Sequence, residues 1–171
     1  MSTSTTTESD LQAFGQAYRY DVDYLIQLNR ASPGAFAQFV ASQPMGNYRC
    51  ELSLEAHFVA RITCMQAEDC GPCAQLNLRM AVEAGLDREL LEILLHHPEA
   101  LSPELRGVRS HVRQVLGQDP VDPDGAEGLR DQLGETAFAE LATTIAGSQI
   151  YPTLKKAMLK SLSCEAIHLD F

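Results

Sequence analysis

The sequence predicts an all-α fold, and three kinds of observation support this prediction. Apolar residues recur every three or four positions through most of the chain, which is the period of an amphipathic helix. No segment has the Val/Ile/Thr-rich alternation of a β-strand; the closest, residues 57–63 (HFVARIT), lies inside a longer helical pattern. Ser, Asp, Pro and Gly stand where helices would begin and end. We therefore expect about seven or eight helices.

The first two helices are predicted before residue 50. Residues 11–29 carry apolar side chains at helical spacing, and Asp10 is a possible N-cap for this helix. A second helix begins after Ser32, which suits the N-cap position, and has Pro33 as its first residue. Residues 43–47 (QPMGN) end it.

The middle of the chain predicts three further helices. Residues 53–67 form the first, opened by Ser53, and its apolar residues cover more than one face, which indicates a largely buried helix. The next begins at Pro72 and ends at Gly85, a typical C′ residue. Asp87 begins the third, and Pro98 closes it.

The last third of the chain predicts helices separated by one clear loop. Residues 105–116 have a helical pattern that ends at Gly117. Residues 118–128 (QDPVDPDGAEG) are rich in Pro, Asp and Gly and are predicted to be a loop. Three more helices follow, at residues 129–133, 137–146 and 154–164. Pro152 either begins the last of these or bends a longer helix.

Length and composition fit one all-helical domain over residues 11–171, preceded by a disordered tail over residues 1–10. The chain has 171 residues and is 45% hydrophobic, enough for a buried core. Its start, MSTSTTTESD, lacks the basic and apolar stretches of a secretory signal. No apolar run is long enough to cross a bilayer, so we expect a cytoplasmic protein.

The charge of the chain excludes two classes of partner. The net charge is −10, from 13 basic and 23 acidic residues, which argues against binding to nucleic acid or to an anionic membrane. The one basic cluster, Lys155, Lys156 and Lys160, has helical spacing and is interpreted as a solvated face. Five cysteines, an odd number with irregular spacing, do not resemble a secreted disulfide framework.

The residues Cys70-Gly71-Pro72-Cys73 are the strongest functional signal. A helix N-terminus carries unpaired N–H groups and a partial positive charge, which favour a thiolate. Two cysteines at that position can form a small disulfide ring and reopen it by exchange. The tetrapeptide is that of thioredoxin, but the chain has no Trp and no predicted strand before the pair, so a thioredoxin fold is not expected.

Two other interpretations of the pair remain open. Both thiols can be small buried hydrophobic groups with no chemistry. A zinc site would draw further ligands from Cys50, Cys64, His57 and the tandem His96-His97, none of which has finger or ribbon spacing. No metal and no cofactor is therefore expected.

The segment ARITCMQAEDCGPCAQLNLRMAVEAG (60–85) resembles the carboxymuconolactone decarboxylase / alkylhydroperoxidase D-like family, and SPEL (102–105) and ELATTIAGSQIYPTLKKAM (140–158) fit its layout. The resemblance implies an all-helical homo-oligomer whose CxxC pair reduces peroxides; a second branch decarboxylates a lactone without this dithiol. It also implies that Cys73 attacks the peroxide and that Cys70 resolves the resulting sulfenic acid.

Two positions depart from the pattern of the peroxidase branch, in which a Glu and a His relay a proton. The His position is Asn77, and the Glu position is Phe58, with Glu55 one turn earlier as a possible substitute. His57 is interpreted as a structural histidine with satisfied hydrogen bonds. Glu68 and Asp69 are expected to raise the thiol pKa, although Glu68 is also a possible local base.

The predicted function is therefore a CxxC-dependent thiol–disulfide oxidoreductase, with hydroperoxide reduction as a further activity. Its predicted site residues are Cys70, Cys73, Glu55 and Asn77. The expected partner is a small-molecule peroxide or a thiol/disulfide protein. The alternative is a non-catalytic helical oligomer of the same fold that acts as a redox sensor or binds a small molecule.

Overall fold

The computed structural model describes residues 6–160 and Leu169, and within them the chain is all-α. It contains nine α-helices and no strand in that part of the chain, which confirms the predicted fold class. The helices are α1 (Glu8–Tyr18), α2 (Asp23–Ala31), α3 (Pro33–Asn47), α4 (Leu54–Ala67), α5 (Gly71–Glu83), α6 (Arg88–His96), α7 (Pro103–Val115), α8 (Pro123–Leu133) and α9 (Glu135–Ala157), with a 3₁₀ turn at Pro98–Ala100.

Helix α4 lies at the centre of the packing, in contact with α5, α7 and α9. Every residue from Ala56 to Met65 except Arg61 is buried, which confirms the prediction that several faces of this helix are covered. A short turn joins α4 to α5, and Asp69 in that turn has a left-handed backbone, with φ of 52°. The turn therefore delivers the next residue, Cys70, directly to the start of α5.

The helix caps predicted from the sequence are present at three starts. The side chains of Ser32, Ser53 and Asp87 each accept a hydrogen bond from a backbone N–H in the first turn of the helix that follows. These bonds satisfy donors that a helix N-terminus otherwise leaves unpaired. Gly85 has φ of 97° immediately after α5, as expected of a C′ glycine.

The predicted helix over residues 11–29 is in fact two helices, α1 and α2. Arg19 adopts a left-handed conformation, with φ of 48°, and ends α1. Tyr20 and Val22 lie in the connection and are buried, so the apolar spacing continues across the break and conceals it. Thr7 caps α1, and Asp10 completes a capping box at the third helical position instead of serving as the N-cap.

The loop predicted over residues 118–128 is in fact shorter, because Asp122 caps α8 by accepting from the Gly125 N–H at 3.0 Å, and Pro123 is the first helical residue. Of the two alternatives for Pro152, the longer helix is correct, since α9 joins the last two predicted helices and continues through Pro152. Residues 161–164 of the predicted last helix, with Cys164, lie outside the described residues.

Residues 1–5 of the predicted tail are outside the described residues, so that the tail stays a prediction, while α1 already begins at Glu8. Among the helices described, none combines the length and the apolar character needed to span a bilayer.

Helices α3 and α9 approach each other closely at a pair of glycines. A Cβ atom built on Gly147 would overlap the backbone of Gly46, and one built on Gly46 would lie 3.0 Å from the Gly147 carbonyl carbon. Only residues without a side chain allow this contact. Because both glycines also line the cavity described below, their contact helps to set its width.

Glu140 of α9 holds the segment that leads into α4. Its Oε2 accepts hydrogen bonds from the backbone N–H groups of Cys50, Glu51 and Leu52, each at 2.9 Å. These bonds, with that from Cys50 the strongest influence, hold the pKa of the Glu140 carboxyl below its usual range. The carboxylate therefore links the start of α4 to α9.

We expect Gly147→Ala to destabilise the protein by about 1–3 kcal/mol, because the added methyl group has no space between α3 and α9. Urea unfolding followed by circular dichroism measures the change. The control is Gly128→Ala in α8, where an added Cβ meets no atom within 4 Å; this substitution should be neutral or stabilising by up to about 1 kcal/mol. Equal unfolding midpoints for the two variants would contradict the close contact.

We expect Glu140→Gln to lower the free energy of unfolding by about 1.5–3 kcal/mol at pH 7, since hydrogen bonds to a charged acceptor are lost. The folded pKa lies below the unfolded value, so this stabilisation is present above about pH 4.3 and is lost as the pH falls through the folded pKa. Unfolding of both proteins between pH 7 and pH 3 should show the difference shrinking in acid. Glu127→Gln on exposed surface is the control.

A candidate dithiol site beside a cavity

The two cysteines of the CxxC motif are bonded to each other at the start of α5. Cys70 is the N-cap and Cys73 the third helical residue, and their Cα atoms are 5.3 Å apart. Pro72 occupies the first turn, where its missing N–H removes no helical hydrogen bond. The pair thus lies where the partial positive charge of the helix N-terminus favours a thiolate once the bond is reduced.

Both cysteines are buried, and Cys73 lines a cavity. The exposed fraction is 1% for Cys70 and 2% for Cys73. Cys73 lines a cavity of about 330 Å³, and Cys70 is not among its lining residues. Asp10 and Asn47 also line the cavity and are exposed, so that it extends to the surface. This cavity therefore gives a small molecule access to the second cysteine of the motif.

The cavity has an apolar wall and a polar side. The apolar wall contains Leu11, Phe14, Leu25, Met65, Leu76 and Met80. The polar side contains Gln43, Asn47, Arg61, Asn77, Ser148 and Tyr151. These residues come from α1 to α5 and from α9, so the cavity is enclosed by helices that are far apart in the sequence.

Asn77 makes hydrogen bonds on the polar side of the cavity. None of the hydrogen bonds described for it involves a sulfur atom. Its Oδ1 accepts from Arg61 Nε at 2.8 Å, and its Nδ2 donates to the Cys73 carbonyl at 2.8 Å. Arg61 Nη1 donates in turn to Asn47 Oδ1 at 2.9 Å. The residue at the predicted proton-relay position therefore fixes the orientation of a guanidinium.

Tyr20 supplies a contact to the Cys73 sulfur that sequence reasoning missed. Its hydroxyl lies 3.7 Å from Cys73 Sγ and 3.2 Å from the Tyr24 hydroxyl. Burial raises the pKa of Tyr20 to about 12, so at neutral pH the phenol is protonated and can donate a hydrogen bond to sulfur. Tyr20 lies 53 residues before Cys73, and no local motif marks it.

Lys155 corrects the prediction of a solvated basic face. The exposed fraction of this residue is 4%, and its Nζ lies 4.6 Å from the centre of the Tyr20 ring and 5.3 Å from that of Tyr24. These are cation–π distances. Its neighbour Lys156 faces outward and pairs with Glu68, so that this carboxylate near the motif is paired with a cation. Only part of the cluster is solvated.

The remaining predicted residues lie away from the sulfurs. Glu55 is exposed in the first turn of α4 and does not line the cavity. His57 is buried, with Nδ1 3.2 Å from the Thr144 hydroxyl, which confirms its interpretation as a structural histidine. Burial, assisted by the charge of Arg61, lowers the pKa of His57 to about 4, so its imidazole is neutral at pH 7.

Two other cysteines fall within the described residues, and neither is bonded to the pair. Cys64 is buried on α4, and burial raises the pKa of its thiol to about 12, which makes it unreactive at neutral pH. Cys50 is exposed. Over residues 6–160 and 169, no group of three or more His, Cys, Asp or Glu side chains is arranged to hold a metal ion.

A scan against protein-family models, a search of the curated proteins and a search of the solved structures each found no match to this chain. The chemistry of the site has to be inferred from its own atoms.

We expect Tyr20→Phe to raise the pKa of the reduced Cys73 thiol by about one unit, because the thiolate loses a hydrogen-bond donor worth roughly 1.5 kcal/mol. The measurement is the pH dependence of iodoacetamide alkylation at Cys73, read by peptide mass spectrometry in a Cys70→Ser background. Phenylalanine preserves the ring that faces Lys155. Tyr48→Phe, at an exposed tyrosine, is the control; the same pKa in all three proteins would show that Tyr20 does not act on the sulfur.

Proposed function

We propose that this protein is a dithiol–disulfide oxidoreductase that reduces a small hydroperoxide at Cys73. One observation carries the proposal: Cys73 lines the cavity while its sulfur is bonded to Cys70. A reactant in the cavity can meet the second sulfur, and the first sulfur is already placed to complete a disulfide. The resemblance to alkylhydroperoxidase D-like proteins assigns the same two roles, and we propose that relationship too.

The reaction transfers two electrons from the dithiol to the peroxide. The Cys73 thiolate attacks the terminal oxygen of the hydroperoxide, so that an S–O bond forms, the O–O bond breaks and the alkoxide leaves as an alcohol after protonation. The Cys70 thiolate then attacks the sulfenic sulfur, forming the S–S bond and releasing water once hydroxide is protonated. An external dithiol reduces the disulfide by exchange and restores both thiols.

The surroundings of Cys73 stabilise its thiolate by hydrogen-bond donors and by positive charge. In the part of the chain that the structure describes, they provide no base that removes the proton from the thiol. The N-terminus of α5 and the Tyr20 hydroxyl both stabilise negative charge on sulfur. A phenol whose pKa is about 12 does not accept a proton from a thiol at neutral pH. General acid–base help is typically worth about 10²–10⁴-fold in rate, so we expect slower peroxide turnover than an imidazole relay would give.

Burial of the pair favours small molecules over a protein partner. With exposed fractions of 1% and 2%, neither sulfur is on a surface that another folded protein can touch. Thiol–disulfide exchange requires an incoming sulfur to approach along the S–S bond. A small peroxide and a small dithiol fit a cavity of about 330 Å³, and a protein thiol does not.

A redox-responsive binding protein is the second candidate. The observation that favours it is the position of Glu55, which is exposed and does not line the cavity, so that it is not placed to relay a proton there. In this alternative the cavity binds a ligand, and opening the Cys70–Cys73 bond changes the wall of that cavity. The pair would then be oxidised once per stimulus and would not turn over.

The test measures loss of tert-butyl hydroperoxide by the reduced protein, with and without excess dithiothreitol. The wild type should consume one equivalent per dithiol alone, and many equivalents with dithiothreitol. Cys73→Ser should abolish consumption, whereas Cys70→Ser should react once and accumulate a sulfenic acid that dimedone traps. Cys50→Ser, at an exposed cysteine outside the pair, is the control.

Unchanged consumption by Cys73→Ser would refute the proposed function. Disulfide formation in the wild type without turnover in dithiothreitol would instead support the redox-responsive binding protein.

A further inference from the structure

The guanidinium of Arg61 has no carboxylate partner within the part of the chain that the structure describes. Its hydrogen bonds go to the neutral amide oxygens of Asn77 and Asn47, at 2.8 and 2.9 Å, and Nη1 lies 3.5 Å from the neutral His57 ring. Over residues 6–160 and 169, no ion pair includes Arg61, and the hydrogen bonds described for its guanidinium are made by Nε and Nη1. Arg61 is partly buried, and charges removed from water are normally paired.

The same guanidinium lies on the wall of the cavity that contains Cys73. Its orientation is fixed from two sides, by Asn77 on α5 and by Asn47 at the end of α3. The Phe58 ring lies 5.5 Å from Cζ. By contrast, the guanidinium of Arg113 is paired with the carboxylate of Asp119 at 2.7 Å.

One carboxylate, that of Asp10, lines the cavity, but the hydrogen bonds described for it are made to Thr7. Asp10 is exposed, and its Oδ2 accepts from both the backbone N–H and the hydroxyl of Thr7, at 2.8 and 2.7 Å. These bonds hold the pKa of Asp10 below its usual range, so it remains an anion engaged in the cap of α1. It does not neutralise Arg61.

We propose that the cavity binds a small organic carboxylate, with the carboxylate on Arg61 and the hydrocarbon body against the apolar wall. Guanidinium–carboxylate hydrogen bonds are charge-assisted and are strengthened away from bulk water. The apolar wall of Leu11, Leu76 and Met80 takes the remainder of such a ligand. The volume, about 330 Å³, is at the small end of ligand pockets.

This assignment also names a substrate class, and that step rests on the proposed function. The substrate would be a carboxylic acid that also bears a hydroperoxide group. Its carboxylate would bind Arg61, and this contact would place the hydroperoxide group near Cys73. Binding energy from a part of the substrate that does not react then serves to position the part that does.

The first experiment compares ligands that differ only in charge. Isothermal titration calorimetry of the oxidised wild type with hexanoate and with hexanamide should show at least tenfold tighter binding of the carboxylate. The result needs no substitution, so it does not depend on the folding of any variant. Equal affinity for the two ligands would overturn the proposal.

The second experiment repeats the titrations on three variants. Arg61→Gln should remove the preference for hexanoate, and Arg61→Lys, which keeps the charge, should retain part of it. Arg130→Gln loses the same charge on a residue that does not line the cavity, so its preference should equal that of the wild type. A preference that persists in Arg61→Gln would exclude Arg61 as the anion site.

The third experiment separates this inference from the proposed function. Hexanoate should slow iodoacetamide alkylation of Cys73 in the reduced protein at least fivefold, and hexanamide should not, because the bound acid blocks the cavity. Protection together with an absence of peroxide consumption would leave the carboxylate site standing and remove the proposed function. Peroxide consumption without protection at Cys73 would support the proposed function and remove the carboxylate site.

Discussion

The burial of α4 on several faces is the constraint on which the site depends. Helices α5, α7 and α9 all pack against it, so that Cys70, the first residue after the following turn, is buried although Asp69 in that turn is exposed. The left-handed Asp69 reverses the chain there, and Cys70 begins α5 within that packing. Cys73 of this buried pair lines the cavity, so in the proposed function the size and lining of the cavity select the reactants.

The same burial explains why Arg61 is held by amides. A guanidinium on a central helix loses hydration, and this desolvation lowers its pKa. Asn77 and Asn47 replace part of the lost water and keep the charge uncompensated. A carboxylate at position 77 would have satisfied the charge and closed the site to anions. Asn77 cannot relay a proton. Because its amide is neutral, however, it leaves the charge of Arg61 available to an anion.

The sequence was sufficient where the decisive interactions are local. Ser53 and the multi-sided apolar pattern predicted α4, and the CxxC motif predicted a dithiol at a helix start. It was insufficient where contacts are distant or where buried residues lie in a turn. Tyr20 is buried in the connection that ends α1, which hid the helix break and its contact to Cys73. Lys155 has the spacing of a surface residue, and only tertiary packing over tyrosine rings reveals its burial.

The site stabilises negative charge on sulfur without a group that exchanges protons near neutral pH. Tyr20 donates, and the Lys155 ammonium over its ring stabilises the negative charge that develops on the phenol oxygen when its proton is shared with sulfur. The neutral His57 ring is hydrogen-bonded to the Thr144 hydroxyl. Such a site lowers the cost of forming a thiolate but leaves protonation of the leaving group to solvent in the cavity. The rate of peroxide reduction should therefore depend strongly on the acidity of the departing alcohol. In an enzyme with an imidazole relay this dependence should be weaker, so leaving-group acidity distinguishes the two mechanisms.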